Sequence, residues 1–181
     1  GHTDRINRSG ATIRQQAELL SDAARQLGVE NPIVLGHSYG GAVALAWSVY
    51  EQDSLSAMVL LAAPSKPWTS DLPIFYKITS SSLGSRIVVP FLTAWVPDST
   101  VDSAIEGIFA PQKAPSGYSD YVGAGLTLRR ISLRANAAQR ANLLNEIKEM
   151  NALYAKINIP IELLHGDADT TVGLTIHSAP L

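Results

Sequence analysis

Apolar and polar positions follow two different rhythms along this chain, and the rhythm changes at identifiable residues. From Thr12 to Leu27, the residues Ile13, Ala17, Leu20, Ala24 and Leu27 recur at three- and four-residue spacing, which predicts a helix with one apolar face. Gly28 stands where a glycine ends a helix by taking left-handed dihedrals. After a short loop, the run Ile33-Val34-Leu35 shows no alternation. That pattern predicts a strand covered on both faces, as in a parallel sheet. The stretch 40–50, rich in Ala and Val, reads as a second helix. The segments 57–62 and 159–164 repeat the unalternating strand pattern, the first of them stopped by Pro64. Strands alternating with helices predict an α/β fold built on a parallel sheet.

Between the second and third strands the chain changes character. The stretch 65–157 holds six prolines (Pro67, Pro73, Pro90, Pro97, Pro111 and Pro115) and the aromatics Trp68, Phe75, Tyr76, Phe91, Trp95, Phe109, Tyr118 and Tyr121. Its second half, 121–154, reads as largely helical. An excursion of this length is too long for a loop and predicts a mostly helical cap inserted into the core. The expected division is residues 1–65 and 157–181 for the core and 66–156 for the cap. The aromatics are expected either to line an apolar cleft or to pack the cap itself.

Composition narrows the chemistry. With 181 residues, 46% of them hydrophobic, the chain is long enough to bury one sizeable core. A net charge of −2 supplies no basic face for nucleic acid. The absence of cysteine removes thiolate catalysis, disulfides and cysteine-based metal sites. No apolar run approaches the length of a membrane span, and no cap helix is basic along one face. Compartment stays open, with the cytoplasm slightly favoured, and oligomeric state is not legible.

The candidate chemistry sits at Gly36-His37-Ser38-Tyr39-Gly40, between the first strand and the second helix. A serine between glycines at a strand-to-helix turn forms a nucleophile elbow, whose tightness strains the serine backbone and leaves little room at positions 36 and 40. The hydroxyl is lifted clear of the sheet. The Tyr39 backbone N–H, at the start of the helix, faces the place where an oxyanion develops.

With these residues, and with His165-Gly166-Asp167-Ala168-Asp169-Thr170-Thr171-Val172 after the late strand, the chain resembles the α/β-hydrolase superfamily. The opening Gly1-His2-Thr3-Asp4-Arg5 is similar to a loop of that family. The resemblance implies a partial α/β-hydrolase fold with Ser38 as nucleophile, Tyr39 as a backbone oxyanion donor and Asp169 as the acid that orients a histidine. Asp167 is the competing acid, expected instead to bond loop N–H groups, and Asp71 is a more distant possibility. The family's histidine lies well beyond the acid, whereas only 12 residues follow Asp169. His177, the histidine among them, falls in 173–181, which resembles the helix after the acid loop and would turn it away from the site. His37, His165 and His2 read as structural. The chain is therefore expected to be an internal fragment whose base and second oxyanion loop lie outside it, inactive as written.

The function implied is a serine hydrolase acting on a small-molecule, moderately apolar acyl substrate, with no cofactor and no metal. The alternative is a non-catalytic small-molecule binding protein of the same fold.

Overall fold

A computed structural model of the chain describes residues 12–69, 71–95, 97–123 and 129–181. The expected similarity of residues 1–5 to a family loop, and His2 with it, lies outside the described residues.

Helix α1 (Ile13–Gln26) starts at Thr12, whose hydroxyl accepts the Gln15 N–H at 3.1 Å. The Gln15 side chain returns the bond to the Thr12 N–H, so two otherwise orphaned donors are satisfied together. Gly28, at φ 72°, ends the helix. The buried face is not quite the one the spacing suggests. It runs through Ile13, Ala17 and Ser21, while Leu20 and Leu27 are exposed. Ser21 is buried because it has a polar partner. Ser54 Oγ donates to the Glu51 carbonyl and accepts the Trp47 indole N–H at 2.7 Å, so Ser21, 3.3 Å away, supplies its own proton to Ser54.

Strands β1 (Ile33–His37), β2 (Ala57–Leu61) and β3 (Ile161–Leu164) form a parallel sheet in that order. Ile33 stands beside Ala57 and His37 beside Leu61, while Met58 and Leu61 stand beside Ile161 and Leu164. Helix α2 (Tyr39–Tyr50) makes the crossover from β1 to β2. Every residue of α2 from Gly41 to Ser48 is buried. It therefore needs apolar neighbours all round rather than on one stripe. Those come from Val34, Met58 and Leu60 of the sheet, from Ile13 and Ala17 of α1, and from Leu143, Ile147 and Met150.

The opposite face of the sheet departs from expectation. Ile33 and Leu35 are 67% and 61% exposed, and Leu164 is half exposed. β1 is thus buried on one face only. Among the described residues no element covers the other face, and β1, like β3, is an edge of the three strands, so its unalternating apolar run does not report two-sided burial here.

The remaining helices are α3 (Ile74–Ser80), α4 (Ser82–Trp95, with Pro90 inside it), α5 (Asp98–Phe109), α6 (Tyr118–Tyr121) and α7 (Arg130–Asn151). All lie between β2 and β3, and no strand interrupts them among the described residues. The chain separates into two compact units. Of the described residues, one holds those from 71 to 141, the other 12–69 with 142–181, and the sheet belongs entirely to the second. No helix of the described residues is long and apolar enough to cross a membrane.

Candidate functional site

β1 delivers the chain to Ser38, and the turn that follows is as tight as its glycines predict at one position but not the other. A Cβ at Gly36 would lie 2.4 Å from the Gly40 carbonyl oxygen, so position 36 admits hydrogen alone. A Cβ at Gly40 would meet nothing within 4 Å. The second crowded glycine is Gly41, where a Cβ would fall 2.3 Å from the Ala63 Cβ. Gly41 lets α2 seat directly against the segment leaving β2. This correction was legible only as the doubled glycine at 40 and 41.

Ser38 itself holds φ 51° and ψ −123°, a backbone state costly for any residue with a side chain. It is held there from both sides. Its N–H donates to the Leu61 carbonyl at 2.9 Å, and its own carbonyl accepts from Gly41 at 2.8 Å and from Ala42 at 3.3 Å. Strand pairing and helix start thus meet at this one residue. Tyr39 is the first residue of α2, where a backbone N–H has no acceptor within its own helix. The Tyr39 side chain turns inward, its hydroxyl accepting the Gln16 amide N–H at 2.8 Å, and burial pushes the phenol pKa well up.

The acid loop leaves β3 at His165. Asp169 Oδ1 accepts the N–H groups of Thr171 at 2.8 Å and of Val172 at 2.9 Å. Its other oxygen lies 3.5 Å from His165 Nε2. The role expected of Asp167, capping the loop backbone, therefore belongs to Asp169, while Asp167 is exposed. An aspartate can accept the N–H groups two and three residues ahead of it, and the N–H two ahead of Asp167, that of Asp169, goes instead to the Gly166 carbonyl at 3.3 Å. Asp71 lies fully exposed, 3.9 Å from Lys77 Nζ.

The described histidines have distinct employments. His37 is exposed at the end of β1. The His165 side chain is buried, with Nδ1 2.6 Å from Ser178 Oγ and Nε2 2.6 Å from the Val172 carbonyl. His177 is buried and accepts the N–H groups of Ser65 at 3.2 Å and Lys66 at 3.3 Å on its Nδ1. Trp68 packs its ring edge-on at 5.6 Å. Burial lowers the His177 pKa, with nearby His165 acting the same way. The segment carrying it, 173–181, is a series of hydrogen-bonded turns rather than the expected helix, because Pro180 and the buried histidine arrest it after one turn.

Ser38, Ala62 to Lys66 and His165 to Asp169 all follow the C-terminal ends of parallel strands, where sites of open α/β sheets are built. A cleft of about 830 Å³ lined by Gly28–Asn31 and Glu51–Ser54 opens at the other end, before β1 and β2, and has no part in this constellation. No cluster of three metal-ligating side chains occurs among the described residues.

The fold has counterparts among known proteins. A family model described as "Serine aminopeptidase, S33" matches residues 1–175. A solved α/β hydrolase fold protein from Burkholderia ambifaria is similar over 97% of this chain and 62% of its own, at 18% identity and TM-score 0.63. A thermophilic esterase from Thermogutta terrifontis is similar over 97% and 61%, at 20% identity and TM-score 0.58. Homoserine O-acetyltransferase of Thermus thermophilus is 41% identical over 59 residues, 32% of this chain and 16% of that protein. The chain thus spans about three fifths of the length of these solved structures and less than a fifth of that curated relative.

Proposed function

The chain belongs to the α/β-hydrolase family whose model is described as serine aminopeptidase, S33, and on that premise we propose a serine hydrolase that opens an ester or related acyl bond through an acyl-enzyme at Ser38. The observation carrying this reading is the strained Ser38 backbone at the junction of β1 and α2. Strain of that size persists where it serves placement of a side chain, and here it presents a hydroxyl beside the free N–H of a helix start.

In this mechanism Ser38 Oγ bonds to the acyl carbon as a histidine base takes its proton. The carbonyl electron pair moves to oxygen, which the Tyr39 N–H stabilises. Collapse expels the alcohol, protonated by the same base. Water then repeats the sequence, releasing the acid and regenerating Ser38. Asp169 orients the base, with Asp167 the weaker candidate because it is exposed and unanchored. His165 and His177 are committed to Val172, Ser178, Ser65 and Lys66, and His37, the residue before Ser38, is read as structural, so the base is assigned outside the described residues.

We assign residues 66–156 the role of cap and an apolar acyl group the role of substrate. The similarity to an esterase and to an O-acetyltransferase, both acyl-transferring by name, supports that class. The committed histidines favour one alternative, a non-catalytic small-molecule binding protein of this fold. A fluorophosphonate probe separates the two. An adduct mapped to Ser38 and missing in Ser38→Ala supports the hydrolase. An unmodified Ser38 at saturating probe, in folded protein that includes the base, overturns it in favour of binding.

A further inference from the structure

The acid loop is closed at its neck by a buried imidazole, and that closure bears on the carboxylate within it. His165 sits at the end of β3 with its side chain only 2% exposed. A carbonyl oxygen can only accept, so the 2.6 Å contact between His165 Nε2 and the Val172 carbonyl requires the proton on Nε2. In the neutral ring Nδ1 is then an acceptor, and the Ser178 hydroxyl at 2.6 Å donates to it. The Val172 carbonyl, which cannot donate, thereby fixes the tautomer, and the Ser178 hydroxyl, able to donate or accept, conforms to it.

Val172 is gripped from both sides. Its carbonyl takes the His165 proton, and its N–H goes to Asp169 Oδ1, which also receives the Thr171 N–H. One carboxylate oxygen is thus pinned by two backbone donors whose own positions depend on the His165 bond. The other, Oδ2, lies 3.5 Å from that same Nε2, beyond a full hydrogen bond but on the donor's side of the ring. The acid of an orienting pair needs one oxygen anchored and one presented, and this arrangement does both.

We propose that His165 is a positioning residue for Asp169, holding the loop 165–172 closed through Val172 in the tautomer that the Val172 carbonyl requires, so that Asp169 Oδ2 is the oxygen offered to the base. This inference rests on the reading of Asp169 as the site's acid.

The test uses the whole chain. Nitrogen-15 spectra of the imidazoles should show His165 protonated at Nε2. In His165→Leu, amide-exchange protection at Thr171 and Val172 should fall about tenfold, since the buried donor to the Val172 carbonyl is lost, while Leu60 and Leu61 of β2 keep theirs. His165→Gln, which replaces the N–H donor, should restore protection to within a few-fold of the parent. An Nδ1-protonated ring, unchanged protection, or an equal loss in β2 would each overturn the proposal. Should His165→Leu not fold, His165→Asn decides: its shorter amide reaches toward Ser178 but not Val172, so protection at Thr171 and Val172 should fall as for the leucine variant, and unchanged protection overturns the proposal. Probe labelling of Ser38 in parent protein that includes the base keeps the two ideas apart. No adduct alongside the expected tautomer and protection sinks the hydrolase reading and not the closure of the loop.

Discussion

His177 and Ser65 are tied to each other twice: the imidazole Nδ1 accepts the Ser65 N–H at 3.2 Å, and the Ser65 hydroxyl donates to the His177 carbonyl at 3.0 Å. Both residues are buried, so the pair pins the C-terminal turns to the segment leaving β2.

This pairing carries a pH dependence. Nδ1 can accept two N–H groups only while unprotonated, and burial sets the folded pKa below the usual histidine value. The unfolded chain then binds more protons in the window between that depressed pKa and about 6.5, so stability is fully present above the window and falls as pH drops through it. Urea midpoints across pH 5 to 8 should show this decline. His177→Asn, which keeps an acceptor but cannot titrate, should flatten it; an identical slope in the variant would refute the assignment.

The two glycines flanking Ser38 should respond oppositely to alanine. At Gly36 the added methyl meets the Gly40 backbone at 2.4 Å, which cannot yield, and about 2–4 kcal/mol of stability should be lost. At Gly40 the space is open and the residue is helical, so alanine should be neutral or stabilising by up to about 1 kcal/mol. Chemical denaturation of the two variants measures both.

Strain at Ser38 is recoverable. Ser38→Gly removes the side chain that makes φ 51° unfavourable and should raise stability by about 1 kcal/mol even as probe labelling disappears. A variant less stable than the parent would mean that the turn is not strained.

Tyr39 separates its backbone from its side chain. Tyr39→Phe breaks the bond from Gln16 and should cost about 1 kcal/mol, while leaving the N–H at the helix start in place. Labelling of Ser38 should therefore continue at close to the parent rate. A collapse of labelling in a folded variant would show that the hydroxyl takes part.

The elements and the elbow were readable in the residues because both are local. Helix spacing, the Gly28 terminus and the Gly-x-Ser-x-Gly turn depend on neighbours a few positions apart. What escaped was decided by distant partners. The exposure of Ile33 and Leu35 depends on which segments cover a sheet face, and an apolar run looks alike whether one face is covered or two. Gly41 is indispensable because of Ala63, twenty-two residues on, and Ser21 is buried because of Ser54. Asp167 and Asp169 cannot be ranked by type; the hydrogen bonds of one aspartate to Thr171 and Val172 rank them. The helices 74–109 were foreseen only as a cap, since Pro90 within α4 disguises its pattern.

The wholly buried α2 also has a consequence for how the chain is made. The core around it includes Ile13 and the segment from Leu143 to Met150, and the Ile13 N–H meets the Glu146 carboxylate across 133 residues of chain. During synthesis α2 leaves the ribosome early, all apolar and with half its walls unmade. Closing so long a loop is slow, so the core can form only after residue 150 has emerged. Until then the helix that presents Ser38 is the segment most in need of a chaperone.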